Sequence, residues 1–172
     1  MALSERRQWA DAYLDQARED LIGATALEDR APSVSAMLLQ MVLEKAAKGL
    51  LIRSGSISVE AARRSHKAAS SLVAALKRNR ELLRLLELGD QRALAGVLSV
   101  VVELERAHPQ LAQPGAPQLE YPWADAGGGP VCCPARDLPI AKRWADPISL
   151  ERPRMIRFAK VLLDRADSIF PC

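Results

Sequence analysis

The two histidines, His66 and His108, are the natural starting point for acid–base chemistry at neutral pH. His66 lies beside Arg63, Arg64 and Lys67. In a catalytic reading His66 is the base and Arg63 or Arg64 holds a phosphate; in a structural reading its ring packs on a neighbouring helix. His108 precedes Pro109 at a helix end, where it is expected to bond the last carbonyls. Cys132 and Cys133, with Cys172 and a histidine, would make four zinc ligands. Adjacent cysteines do not easily reach one ion, however, and the usual two-residue spacer is missing, so no metal site is expected. Three cysteines are an odd number and build no disulfide framework. There is no Gly-rich phosphate loop and no metal spacing of His and Glu on one helix, so no cofactor is expected either.

Charge is unevenly placed. Residues 1–44 carry four basic and eight acidic side chains, residues 45–84 ten basic and two acidic, and residues 85–172 ten basic and eleven acidic. The basic middle either attracts phosphate or docks on the acidic first segment of this chain or a sister chain. Gln40, Glu44 and Lys48 recur at i, i+4 with Lys45 beside them, a polar ridge that includes an ordinary helix-stabilising Glu–Lys pair. Arg152, Arg154, Arg157 and Lys160 make a second basic cluster, suited to phosphate oxygens or simply solvated.

These residues need helices to position them. Hydrophobic residues make up 49% and aromatics only 4% of the chain, and Ala, Leu and Arg are good helix formers. A stripe of Ala10, Tyr13, Leu14, Ala17, Leu21 and Ala24 predicts a first helix from Ser4 to about Asp29. Pro32 breaks it, and Ser33 or Ser35 is expected to cap a second helix running to about Arg53, with Gly55 as its stop. After a loop of about ten residues, Ser65 is expected to cap a third helix, with His66 just inside it, reaching Leu88. Gly89 and Asp90 separate this from a fourth helix ending at Ala107. The fourth is apolar nearly all round (Val97, Val100, Val101, Val102), which places it at the centre or gives it a second partner surface. Nine of the eleven prolines fall in 109–153, so this segment is expected to be an irregular, packed flap without helices of useful length. A last helix follows from Arg154 to Ile169. The fold class is therefore all-α, an antiparallel bundle of four to five helices in a single domain. No apolar run spans a membrane and the N-terminus lacks a signal-peptide pattern, so a cytoplasmic location is expected.

Several segments together resemble the HEPN family. The first helix from Trp9 to Ala24 is similar to the opening of HEPN domains. Gln40-Met41-Val42-Leu43-Glu44-Lys45-Ala46-Ala47-Lys48 is similar to that family's Gln-x-x-x-Glu-Lys-x-x-Lys segment. Ser65-His66-Lys67 with Leu72-Val73 resembles its Thr-His-Asp…Leu start, and Glu120-Tyr121-Pro122 its Arg-Tyr-Pro. The resemblance covers roughly residues 8–123, with the last helix a further candidate. It implies a helical bundle that commonly forms homodimers. It also implies roles around RNA or nucleotides, often beside a small nucleotidyltransferase, as in toxin–antitoxin pairs. Active members are metal-independent ribonucleases that use an Arg and a His with four to six residues between them. Here Arg63 and Arg64 have two and one residues before His66, Arg106 has one before His108, and Arg53 has twelve before His66.

The expectation is a noncatalytic HEPN-like homodimer, joined through its second or fourth helix. It would bind nucleotide, RNA or a partner protein with a surface containing Glu44, Lys45, Lys48, His66 and Lys67. One alternative is a ribonuclease with a rearranged site using His66 with Arg63 or Arg64. Another is an interaction subunit that meets a larger partner through the tryptophan-containing flap.

Overall fold

The computed structural model describes residues 3–86, 91–124, 127 and 129–169. The described residues form an all-α bundle. Its longer helices are α1 (Leu3–Ala26), α2 (Pro32–Arg53), α4 (Ala68–Arg78), α6 (Gln91–Arg106) and α9 (Glu151–Asp164). Between and after them lie the short α3 (Val59–Arg64), α5 (Arg80–Leu85), α7 (Pro134–Asp137), α8 (Pro139–Ala145) and α10 (Ala166–Ile169). An isolated antiparallel bridge pairs Trp123 with Cys132. Among the described residues, no helix is long and apolar enough to cross a membrane.

α2 is the axis of the bundle, packed against α1, α4, α6, α8 and α9. Its predicted stripe (Ala36, Leu39, Leu43, Ala46, Ala47, Leu50) is buried, and so are Val42 and Ile52 off that stripe. Helices α1 and α2 pack very closely at Gly49: a Cβ there would lie 2.8 Å from Leu14 Cγ and 2.9 Å from the Ala10 carbonyl oxygen. α2 starts at Pro32 itself, and neither Ser33 nor Ser35 caps it. Proline's fixed φ suits the first helical position, where its missing N–H has no partner to lose. Ser35 Oγ instead donates to the Ala24 carbonyl at 2.8 Å, tying α2 back to α1. Gly55, with φ of +75°, makes the expected stop.

The middle of the chain differs most from expectation. The loop after α2 contains α3, capped by Ser58 Oγ accepting from the Ala61 amide. Ser65 ends α3 instead of starting a long third helix, and α4 begins at Ala68. His66 therefore sits in a non-helical link. The expected third helix also breaks at Asn79, whose side chain caps α5 by accepting from the Glu81 and Leu82 amides. An Asn side chain competes with the helical backbone ladder and favours such a restart. Leu88, Gly89 and Asp90 lie outside the described residues.

The proline-rich segment packs as a flap, but it holds α7 and α8, each opening on a proline at the first turn. Trp144 and Ile140 of α8 are buried. Arg143 joins the flap to α6 and α9 through Glu103 (2.7 Å) and Glu151 (2.9 Å). The second side of α6 faces α9 across a groove of about 930 Å3, lined by Leu94, Val97, Val100, Leu150, Arg154 and Phe158 among others.

Candidate ligand-binding site

The polar ridge of α2 is a buried ladder. Gln40 and Lys48 are 4% and 5% exposed. Glu44 accepts from Gln40 Nε2 at 2.8 Å and from Lys48 Nζ at 2.6 Å, one donor on each carboxylate oxygen. Burial alone would push the Glu44 carboxyl up. The hydrogen bond and charge of Lys48, with the Gln40 amide, outweigh it and hold the group below its ordinary value.

Both histidines converge on this ladder. His66 Nδ1 approaches Glu44 Oε1 to 3.4 Å. The ring of His108, just past the end of α6, stacks on that of His66 with centroids 4.4 Å apart and a 24° tilt. Where a bond from His108 to the last carbonyls was expected, the described residues show its Nδ1 accepting the Gln110 amide at 3.2 Å, which leaves the proton of the neutral ring on Nε2. Burial, with the neighbouring His66 adding to it, holds the His108 pKa below its ordinary value.

Glu105 supports the link that carries His66. Lys67, the N-cap of α4, offers no side-chain cap. The Glu105 carboxylate reaches across from α6 and accepts the Ser70 amide at 2.9 Å, capping α4 from outside. Burial first, and the nearby Glu44 charge, push the Glu105 carboxyl above its ordinary value.

Aromatic residues extend the site along α1. Lys48 Nζ lies 6.0 Å from the Tyr13 ring centroid, Tyr13 lies 6.5 Å from the Trp9 ring, and the Arg63 guanidinium stands 5.8 Å over Trp9. Burial raises the Tyr13 pKa, opposed by Arg63. Trp9 is 38% exposed, and Arg63, Arg64 and Lys67 are exposed beside the cluster.

Of the five residues expected to line a binding surface, Glu44, Lys48 and His66 meet. Lys67 lies on the open rim. Lys45 turns away to pair with Asp20 of α1 at 2.5 Å. Arg53 likewise bridges Asp11 and Asp167, both at 2.5 Å. Part of the basic middle thus docks on the acidic first segment of its own chain. In the second basic cluster, Arg152 pairs with Asp29 at 2.8 Å and also donates to the Glu28 carbonyl, while Arg154, Arg157 and Lys160 are exposed. Cys132 and Cys133 are half-buried free thiols, and Cys172 lies outside the described residues.

Sequence reasoning missed Trp9, Tyr13, His108 and Glu105 as parts of one site. Tyr13 was visible only as a member of the apolar stripe, and no spacing signal joins His108 to His66. The fold and site together define an all-α bundle with a polar two-histidine cluster opening on an aromatic, basic rim. Comparisons with protein-family models, with curated proteins and with solved structures found no match.

Proposed function

We propose that this chain is a noncatalytic, HEPN-like helical module that binds a nucleotide or single-stranded RNA at the rim of the His66–His108 cluster. The observation that carries the reading is the exposed group of one aromatic ring and three cations there: Trp9 under Arg63, with Arg64 and Lys67 exposed nearby, and the half-buried Tyr13 behind them beside the buried Lys48. Unpaired bases stack on aromatic rings and guanidinium planes, while exposed cations hold phosphates. Glu44 does not repel such a ligand strongly, because Lys48 neutralises it in place.

The test is titration with labelled single-stranded RNA and with nucleoside phosphates, in chelator, followed by anisotropy and tryptophan fluorescence. Trp123 and Trp144 are buried, so Trp9 is the accessible reporter. Binding should weaken steeply as salt rises, and Arg63→Glu with Arg64→Glu should weaken it at least tenfold. No binding in low salt by the folded protein overturns the reading.

The homodimer belongs to the same proposal, and α6 is its better seam, because α2 is enclosed on several sides by other helices. Light scattering should give about twice the 18.8 kDa chain mass; a monomer at the concentrations used for binding removes this part.

The ribonuclease alternative draws on one observation, the two imidazoles 4.4 Å apart. One neutral and one protonated histidine could serve as base and acid on one phosphate. Cleavage in chelator that disappears in both His66→Ala and His108→Ala would support it; equal cleavage by the variants removes it. As for a partner held by the flap, Trp123 and Trp144 pack into this chain's own core, which leaves Tyr121, Val131, Ile148 and Leu150 exposed in that segment.

A further inference from the structure

We propose that Glu44, His66 and His108 form a binding site for a divalent transition-metal ion. One carboxylate oxygen of Glu44 and one ring nitrogen from each histidine all lie within 4.8 Å of one another. His66 Nδ1 is buried and has no hydrogen-bond partner among the described residues, although Glu44 Oε1 is only 3.4 Å away. A buried imidazole nitrogen without a partner is uncommon in a folded protein and calls for an unassigned one. A cation between that nitrogen and Glu44 would give the nitrogen its partner, while the carboxylate already holds one donor on each oxygen.

The donor set selects the ion. Two imidazoles and a carboxylate suit Zn2+, Co2+ or Ni2+ better than Mg2+ or Ca2+, which prefer all-oxygen shells. Three protein ligands leave a position for water, as in open zinc sites. Metal–nitrogen bonds of about 2.0–2.1 Å place neighbouring ligand atoms about 3.3 Å apart, so the three side chains must close in by rotation. His66 and His108 stand in links just before α4 and just after α6, outside both helices; ligation through His108 Nε2 takes the tautomer with the proton on Nδ1 and gives up the bond from the Gln110 amide. Lys48 already places a positive charge 2.6 Å from Glu44 Oε1. It therefore competes with the ion, and the ion displaces it from that oxygen.

The inference goes beyond the nucleotide reading and does not depend on it, because the probe is the metal alone. Chelator-stripped protein is titrated with Co2+ and followed by visible absorption, with Zn2+ competition and thermal unfolding alongside. A saturable ligand-field spectrum is expected, without thiolate charge-transfer absorption and displaced by Zn2+. His66→Asn and His108→Phe, the latter keeping a stacked ring, should each weaken binding at least tenfold. Lys48→Met should tighten it severalfold by removing the competing charge. Cys132→Ser with Cys133→Ser should leave it unchanged. The site is overturned if no saturable spectrum appears, if both histidine variants bind like the parent, or if the double cysteine variant abolishes the signal. RNA binding in chelator without any metal spectrum would sink this inference alone; a metal spectrum without RNA binding would sink only the nucleotide reading.

Discussion

The imidazoles of His66 and His108 stack at a centroid distance of 4.4 Å, although one lies before α4 and the other after α6. The pair makes stability depend on pH. Burial and His66 hold the folded pKa of His108 below 6.5, its ordinary value. A histidine with a depressed folded pKa supports the fold above its unfolded pKa, and that support is lost as pH falls through the folded value. Melting temperature should therefore drop as pH is lowered below about 6.5. In His108→Phe the ring contact remains but the titration is gone, so the drop should shrink. Thermal unfolding of both proteins from pH 8 to pH 5 measures this; parallel curves would refute it.

The Glu44–Lys48 pair is nearly closed to solvent, with side chains 12% and 7% exposed. Removing one partner from a buried pair leaves an uncompensated charge and typically costs about 3 kcal/mol or more. Glu44→Ala strands Lys48 and the Gln40 amide, and should lose about that much in urea unfolding. The double change Glu44→Leu with Lys48→Met removes both charges and should recover most of it. A double variant as unstable as Glu44→Ala would show that the pair's geometry, and not its charge balance, is what the core needs.

The bundle was legible because its signals are local. The stripes on α1 and α2 repeat every three or four residues, and Pro32 and Gly55 mark boundaries within one turn. The stretch from Ser58 to Lys67 was misread because Ser58 and Ser65 are both good caps by type. Their order in space depends on Glu105, which supplies the cap that α4 lacks from a separate helix. The site was half legible for the same reason. Gln40, Glu44 and Lys48 share one helix face and so show a spacing. Trp9, Tyr13 and His108 join them only through the packing of α1 and α6 on α2, and no interval in the sequence encodes that.

Glu105 offers a separable test of its capping role. Its carboxyl is raised by burial and by Glu44, so by linkage it favours the fold at low pH and loses that contribution as pH rises through its folded value. Glu105→Gln keeps a carbonyl oxygen to accept the Ser70 amide and removes the buried charge; melting temperature at pH 7 should rise. Glu105→Ala removes the acceptor too and should cost about 1 to 2 kcal/mol, the range for a lost helix cap. If the glutamine variant falls as far as the alanine variant, the charge itself is essential to the cap.

Gly49 tests how closely α1 and α2 must approach. On helix propensity alone, Gly49→Ala should stabilise the middle of a helix by about 1 kcal/mol. The packing predicts the opposite sign. The added methyl would meet the Ala10 carbonyl oxygen at 2.9 Å and Leu14 at 2.8 Å. Leu14 can turn, but the carbonyl is α1 backbone and moves only with its helix. Overpacking of this kind costs about 1–3 kcal/mol, so the variant should melt lower than the parent. The displaced α1 also carries Trp9 and Tyr13 away from Arg63 and Lys48, so Trp9 emission should shift in the still-folded variant. A Gly49→Ala protein that melts higher, with unchanged Trp9 emission, would mean that the two helices have room the present spacing does not show.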